Sequence, residues 1–343
     1  MTAKQINLAL QGGGAHGAFT WGVLDRLLEE PGLEIAAISG TSAGALNGAA
    51  VKKGLAHGSV ALAQDTLSDL WEAVGAITDP RFASWLDAAN PTAISQAIES
   101  SLPFQMADTL SRMISPYASG PFYRNPLSDI VNKLHCPELC GSAGPRFFIC
   151  ATNVRSGKIR IFTGNDVSPD AIMASACLPT MFQAVEIPDA ITGQPEAYWD
   201  GGYAGNPALF PLFAPDLPRD IVIANINPLY RDEVPTTATG IQNRINEISF
   251  NSSLLRELRA IEFVQRLLSV GTIPEGAMKH MLIHMVADDG LMRQLSVATK
   301  MVATPQVLHQ LRAAGRGAAD TFLRDHVDRI GIASSVDLVE MFG

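Results

Sequence analysis

The chain opens with alternating segments of strand and helix periodicity. Residues 6–10 alternate apolar and polar side chains and predict a strand, and residues 18–30 place their apolar side chains on one helical face. The apolar run at 33–38 predicts a short buried strand, and 43–53, rich in Ala and Leu, predicts a second helix. A strand, a helix and a second strand in this order form a βαβ unit, which predicts a parallel sheet with a right-handed crossover.

Later segments continue the same α/β pattern. Helical periodicity predicts helices at 52–74, 169–177, 241–268 and 304–330, the last interrupted at Gly315 and Gly317. Strands are predicted at 146–152, 158–163, 198–200, 220–226 and 279–286, with the last near a sheet edge. No internal repeat or linker divides the chain, so we expect one domain over 1–343, mainly helical from about 240 onward.

Residues 79–123 differ in character from the rest of the chain. Five prolines divide this segment into short pieces that carry large apolar side chains. One interpretation is a helical insertion packed over the core. The other is a mobile lid, or one wall of a cleft for an acyl chain, that meets a lipid surface. Both interpretations are open at this point.

Composition and charge narrow the class of protein. The chain has 343 residues, of which 47% are apolar and 17% charged, which is typical of a compact globular protein. A net charge of −9, with no basic run longer than two residues, argues against nucleic acid as a partner. No apolar window has the length of a transmembrane segment, and no secretory signal follows Met1. We therefore expect a cytoplasmic protein.

The cysteines do not predict a disulfide framework or a metal site. The four, Cys136, Cys140, Cys150 and Cys177, are few and scattered. The pair Cys136-x-x-x-Cys140 lacks a second pair of ligands at metal-site spacing. We therefore expect no bound metal.

The segment Gly40-Thr41-Ser42-Ala43-Gly44 has the pattern G-x-S-x-G and lies between a predicted strand and a predicted helix. This is the context of a nucleophile elbow, in which a strained turn exposes the serine at the start of the helix. Glycine is needed on both sides because larger side chains would collide with the strand or the helix. Ser42 is therefore a candidate nucleophile, although the pentapeptide alone also fits an ordinary tight turn.

A second glycine-rich turn, Gly12-Gly13-Gly14-x-x-Gly17, follows the first predicted strand. A dinucleotide site is one interpretation, but the spacing departs from G-x-G-x-x-G and no acidic residue ends the second strand. The other interpretation is an oxyanion hole, because consecutive glycines let backbone N–H groups approach an anion. If the first two strands are adjacent, Gly13 and Gly14 lie beside Ser42.

A serine nucleophile needs a base within hydrogen-bond reach. None of the later histidines lies in a loop after the last strand, where a hydrolase of the Ser-Asp-His order has its histidine, and His16 lies within the glycine-rich turn itself. Asp200, which ends a predicted strand before Gly201-Gly202, is the better candidate. Partial burial would raise its pKa and make it a better base. An ordinary Asp-Gly-Gly turn is the competing interpretation.

Together these motifs resemble the patatin-like phospholipase family. The family's oxyanion loop matches residues 12–17, its nucleophile motif matches residues 40–44, and its catalytic acid matches Asp200 followed by Gly201-Gly202. Residues 174–179 also resemble the family's segment before the aspartate, and Asn206-Pro207 follows the acid as in the family. The resemblance covers about residues 5–228.

The resemblance implies a three-layer α/β/α fold with a mostly parallel sheet and a Ser42–Asp200 dyad without histidine. It implies hydrolysis of acyl esters through an acyl-enzyme with no cofactor or metal, with the amides of Gly12, Gly13 and Gly14 holding the oxyanion. The substrate would be a lipid or another acyl ester, met at a membrane surface. One departure is His16, where the family commonly has Arg or Lys, so that any positive charge there would depend on pH.

The expected activity is that of a phospholipase A, a lysophospholipase or a general esterase. An acyltransferase is an alternative, but its serine elbow usually reads Gly-His-Ser, and Thr41 occupies the histidine position here. A lipid-binding module without catalysis is a further alternative, which the presence of both Ser42 and Asp200 disfavours. The motifs predict no headgroup, acyl-chain length or oligomeric state.

Overall fold

The computed structural model describes residues 3–77, 101, 114–134, 136–189, 192–274 and 276–342. Most of the segment 79–123 lies outside these residues, so its two interpretations remain predictions. Within the described part, no helix is long and apolar enough to cross a membrane.

A mixed sheet forms the centre of the fold. Its strands are β1 (Lys4–Leu10), β2 (Leu33–Thr41), β3 (Arg146–Asn153), β4 (Ile159–Thr163), β5 (Val185–Pro188), β6 (Pro195–Asp200), β7 (Asp220–Asn225) and β8 (Leu282–Ala287). They lie in the order β5-β6-β3-β2-β1-β7-β8, with β4 paired to β3. Five neighbouring strands of this order are parallel: β3, β2, β1, β7 and β8. In contrast, β4, β5 and β6 pair antiparallel to their neighbours. The predicted α/β class with a mostly parallel sheet is confirmed.

Helices cover both faces of this sheet. They are α1 (Gly17–Leu28), α2 (Ala43–Ala56), α3 (Val60–Gly75), α4 (Ser128–Leu134), α5 (Pro169–Ser175), α6 (Ala238–Ser269), α7 (Asp289–Met292), α8 (Val297–Met301), α9 (Pro305–His326) and α10 (Leu338–Phe342). On β7, Val222 and Ala224 join a core with α1, α2, α3 and α9. Ile221 and Ile223 point the other way, into a second core with α6 and α10. The result is three layers, α/β/α.

Two helix predictions need correction. The predicted helix at 52–74 is two helices, because α2 ends at Ala56 and Ser59 caps α3 by accepting a hydrogen bond from Leu62 N–H at 3.1 Å. The predicted interruption at Gly315 and Gly317 is wrong, since α9 is continuous through both residues. Gly315 serves close packing instead, because its Cα faces the carbonyl oxygen of Phe19 on α1.

Strand pairing positions the predicted motifs. β1 and β2 are parallel neighbours, with Leu10 opposite Gly40, so the loops that follow them emerge at the same edge of the sheet. β6 runs antiparallel to β3, and Asp200 at its end lies opposite Ala151. The three motif segments therefore converge near the carboxyl ends of β1 and β2.

Candidate active site

Ser42 occupies a strained turn between β2 and α2. Its φ is 55° and its ψ is −122°, and within the described residues it is the only one other than glycine with a positive φ. Such backbone costs about 1–3 kcal/mol and persists only where its surroundings hold it. Here Ser42 N–H donates to Ser175 Oγ at 2.8 Å, and the Ser175 hydroxyl donates to the carbonyl of Cys150 on β3 at 2.6 Å. Ser175 thus ties the turn to the neighbouring strand.

Both motif glycines are required by close approach of backbone. A Cβ on Gly40 would lie 2.5 Å from the carbonyl oxygen of Gly44, and a Cβ on Gly44 would collide with the carbonyl of Leu10 on β1. Gly17 plays a similar part between helices, since its Cβ would lie 2.6 Å from the Cβ of Ala43. The turn has the geometry that the G-x-S-x-G interpretation requires.

Gly12 fixes the glycine-rich loop against this turn. Its N–H donates to Asn206 Oδ1 at 2.6 Å, and its carbonyl accepts from Asn227 Nδ2 at 2.9 Å. A Cβ on Gly12 would lie 2.6 Å from the Cβ of Ser42. The expectation that the Gly12 amide donates to an oxyanion is therefore corrected, because that amide is already engaged.

The N–H groups of Gly13, Gly14 and Ala43 remain available. None of the three donates to an acceptor within the described part of the chain, and all three residues line the same cavity as Ser42. Ala43 is the first residue of α2, whose free N–H groups favour negative charge. Ala43 carries no motif signal of its own, although its position directly after the candidate nucleophile could have indicated it.

Buried side-chain amides anchor the start of the glycine-rich loop, at Gln11, to neighbouring segments. Gln11 Oε1 accepts from the backbone N–H groups of Ile226 and Asn227 at 2.8 and 3.0 Å, after the end of β7. Gln11 Nε2 donates to Asn251 Oδ1 on α6 at 3.2 Å. The sequence gives no signal for this network, because its members come from separate loops and helices and share no spacing.

Asp200 lies fully buried at the end of β6, where its Oδ1 accepts from Gly202 N–H at 2.7 Å. Within the described residues, Oδ2 has no partner with full hydrogen-bond geometry. Burial raises the pKa of this carboxyl to about 7, against the lowering effects of the Gly202 N–H and of the nearby Ser42 hydroxyl. Gly201 has no room for a Cβ, which would strike the carbonyl of Cys150.

Ser42 and Asp200 line one cavity of about 340 Å³. Its walls are mainly apolar and come from several elements: Leu46, Trp71, Val74, Ile77, Leu127, Leu178, Met181, Phe182, Tyr203, Phe250 and Met301. This size falls within the range of about 300–1,000 Å³ that is usual for small-molecule sites. Among the described residues, the arrangement thus places a carboxylate oxygen and three backbone N–H groups, all without hydrogen-bond partners, and a strained serine beside an apolar cavity.

His16 does not supply a positive charge to the loop. Its ring is buried, with Nε2 2.8 Å from Thr299 Oγ1. Burial lowers the pKa of His16 well below its usual value, and the charges of Lys300 and Arg231 lower it further. None of the histidines in the described residues lines the cavity. His284 Nε2 lies 3.0 Å from Asp220 Oδ1, at the amino end of β7, whereas Ser42 follows the carboxyl end of β2.

Lys300 on α8 is a cavity residue without any motif signal. Its Nζ donates to Asn227 Oδ1 at 2.8 Å, next to the glycine-rich loop.

Cys136 and Cys140 are free thiols. The described residues include no group of three or more His, Cys, Asp or Glu side chains that could hold a metal ion.

A family model for patatin-like phospholipases matches residues 8–213. The chain belongs to the patatin-like phospholipase family. It is therefore a lipid hydrolase by class, and all three motif segments lie inside the matched range. A search of curated proteins finds no match.

Two similar solved structures cover most of this patatin-like chain. VipD from Legionella pneumophila is 14% identical with a TM-score of 0.38, over 94% of this chain and 67% of VipD. The type III effector protein ExoU is 17% identical with a TM-score of 0.36, over 94% of this chain and 53% of ExoU.

Proposed function

We propose that this patatin-like protein is a carboxylic ester hydrolase that uses Ser42 as nucleophile and Asp200 as general base. Asp200 Oδ2 takes the proton of the Ser42 hydroxyl while Oγ attacks the ester carbonyl carbon. The N–H groups of Gly13, Gly14 and Ala43 stabilise the resulting oxyanion. The alcohol then leaves with the proton from Asp200, and Ser42 carries the acyl group.

The second half of the reaction uses the same residues. Asp200 accepts a proton from a water molecule, whose oxygen attacks the acyl-serine carbonyl. Collapse of this second oxyanion releases the carboxylic acid, and the proton returns to Ser42 Oγ. The observation that carries the proposal is the buried Asp200 Oδ2, which has no partner with full hydrogen-bond geometry among the described residues and lies near the hydroxyl of the strained Ser42.

The apolar cavity supports a lipid acyl ester as substrate. Phospholipase A, lysophospholipase and general esterase activities would all place an acyl chain against walls such as Leu46, Leu178 and Phe250.

Hydrolysis of p-nitrophenyl esters tests the dyad directly. We expect Ser42→Ala and Asp200→Asn each to lower kcat by at least about 1,000-fold, with thermal unfolding at or above the wild-type temperature. EDTA should leave the wild-type rate unchanged. Equal rates for the three proteins, or a wild type inert towards every acyl ester tested, would contradict the proposal.

A further inference from the structure

Lys300 brings charge to the site from outside the family match. It lies on α8, beyond the matched residues 8–213. Among the described residues that line the cavity, Lys300 is the only cation and Asp200 the only anion. The two ionisable groups therefore share one apolar chamber, in which charges act more strongly than in water.

Lys300 is joined to the glycine-rich loop through both side chain and backbone. Its Nζ donates to Asn227 Oδ1 at 2.8 Å, and Asn227 Nδ2 donates to the Gly12 carbonyl at 2.9 Å. The carbonyl of Lys300 also packs on Gly14, where no Cβ could be accommodated. Gly14 has a φ of 59°, a conformation that favours glycine. Because the Lys300 carbonyl contacts Gly14, the conformation of the loop and the position of Lys300 depend on each other.

No carboxylate in the described part of the chain pairs directly with the ammonium group of Lys300. Within the described residues Lys300 forms no salt bridge, and the nearby Glu247 on α6 is held instead by Arg231 at 2.5 Å and by Arg244 at 3.2 Å. Burial lowers the pKa of Lys300 to about 8; Glu247 acts to raise this pKa and Arg231 to lower it. His16 is a further titratable neighbour, and burial lowers its pKa well below its usual value.

We propose that Lys300 is a positioning residue for the hydrolase reaction, whose ammonium group orients Asn227 and supplies the positive charge on the oxyanion side of the cavity. The inference rests on the proposed function. As the ester carbonyl oxygen becomes negative beside Gly13 and Gly14, the fixed charge favours the transition state over the neutral ground state. The effect belongs to kcat, because the substrate carbonyl is uncharged when it binds.

Kinetics on the neutral ester p-nitrophenyl butyrate separate this role from a structural one. We expect Lys300→Met to lower kcat by about 10- to 100-fold, less than the loss of a direct oxyanion donor, with KM changed by less than about threefold. Lys300→Arg keeps the charge and should restore kcat to within about tenfold of wild type.

The alkaline side of the pH profile gives a second readout. Since the protonated lysine is the active form and its pKa is about 8, wild-type kcat should fall as the pH rises through that value. Lys300→Arg should hold its rate to higher pH, because a guanidinium stays charged, and Lys300→Met should lack this fall. If Lys300→Met fails to fold, the profile of Lys300→Arg decides the question.

Lys279→Met is a matched control. Lys279 is also partly buried and donates to the carbonyls of Ala214 and Leu217 at 2.7 and 2.5 Å, near the start of β7 and away from the cavity. Burial lowers its pKa as well. Its substitution should lower the unfolding temperature and leave kcat and the alkaline limb unchanged.

Three outcomes would overturn the inference: wild-type kcat in Lys300→Met, a loss that Lys300→Arg does not reverse, or an alkaline limb identical in wild type and Lys300→Arg. The first leaves the dyad intact if Ser42→Ala is inactive in the same assay. If Ser42→Ala retains the wild-type rate, the proposed function itself fails. The two failures are thus distinguishable.

Discussion

At the scale of single residues, the candidate site contains two features that lower the stability of the fold. Ser42 has a strained backbone, and Asp200 is a carboxyl buried without a cation among its hydrogen-bond partners in the described residues. Both features persist because neighbours hold them, through Ser175 at the turn and Gly202 N–H at the carboxylate. Strain and desolvation of this kind concentrate at functional sites.

The buried carboxyl predicts an unusual stability profile for Asp200→Asn. The pKa of Asp200 is raised to about 7 in the folded protein, so the native state holds a proton that the unfolded chain loses near its ordinary pKa. The stabilisation is full below the unfolded pKa and is lost as the pH rises through about 7.

Asp200→Asn should therefore be more stable than wild type at about pH 8, by up to a few kcal/mol at about 1.4 kcal/mol per unit of pKa shift. The gain should shrink towards about pH 4, where the wild-type carboxyl is protonated in the native state. Thermal unfolding of both proteins across this range measures it. A variant less stable than wild type at every pH would contradict the burial argument.

Residue patterns predicted part of this site. Ser42, Asp200 and the glycines that flank them follow from motif spacing and from backbone sterics. The engaged amide of Gly12 and the contact of Lys300 with Asn227 did not follow, because the choice of a hydrogen-bond partner depends on which distant segments meet. Neither Asn206 nor Asn227 carries a spacing that signals its contact with Gly12.

At the scale of elements, α9 shows why glycine was misinterpreted. Gly315 and Gly317 lower intrinsic helix propensity, which suggested an interruption, but tertiary packing overrides that preference. Gly315 and Gly22 let α9 and α1 approach until backbone meets backbone. Asp25 on α1 also binds Arg312 on α9 at 2.6 Å. Propensity therefore correctly predicted helical structure in this segment but wrongly predicted that the helix is interrupted.

Gly315 and Gly317 on α9 provide a matched pair of substitutions. Gly315→Ala should destabilise the fold by about 1–3 kcal/mol, because its Cβ would meet the rigid backbone carbonyl of Phe19. Gly317→Ala has open space and an exposed position, so it should stabilise the fold by about 0.5–1 kcal/mol. Urea unfolding measures both changes. Equal effects of the two substitutions would show that helix propensity, and not the α1–α9 contact, governs this helix.

At the scale of the whole molecule, the sheet brings distant segments to one edge. The opening βαβ pattern predicted the parallel pairing of β1 and β2, and that pairing sets the glycine-rich loop beside the nucleophile turn. Short elements such as β5 and α8 were not predicted, since four or five residues carry too little periodicity. Through α8 the C-terminal part contributes Lys300 to a cavity whose predicted residues, Ser42 and Asp200, lie earlier in the chain.

The central claim is that buried Asp200 activates Ser42. Inactivation by a long-chain alkyl fluorophosphonate, followed by peptide mass mapping, reports this activation because the reagent needs an activated serine and no turnover. We expect a single label at Ser42, with a rate that rises with pH and is half-maximal near the Asp200 pKa of about 7. Asp200→Asn should react at least about 100-fold more slowly and without that pH dependence. A label on another residue, or an Asp200→Asn variant that reacts at the wild-type rate, would contradict the account.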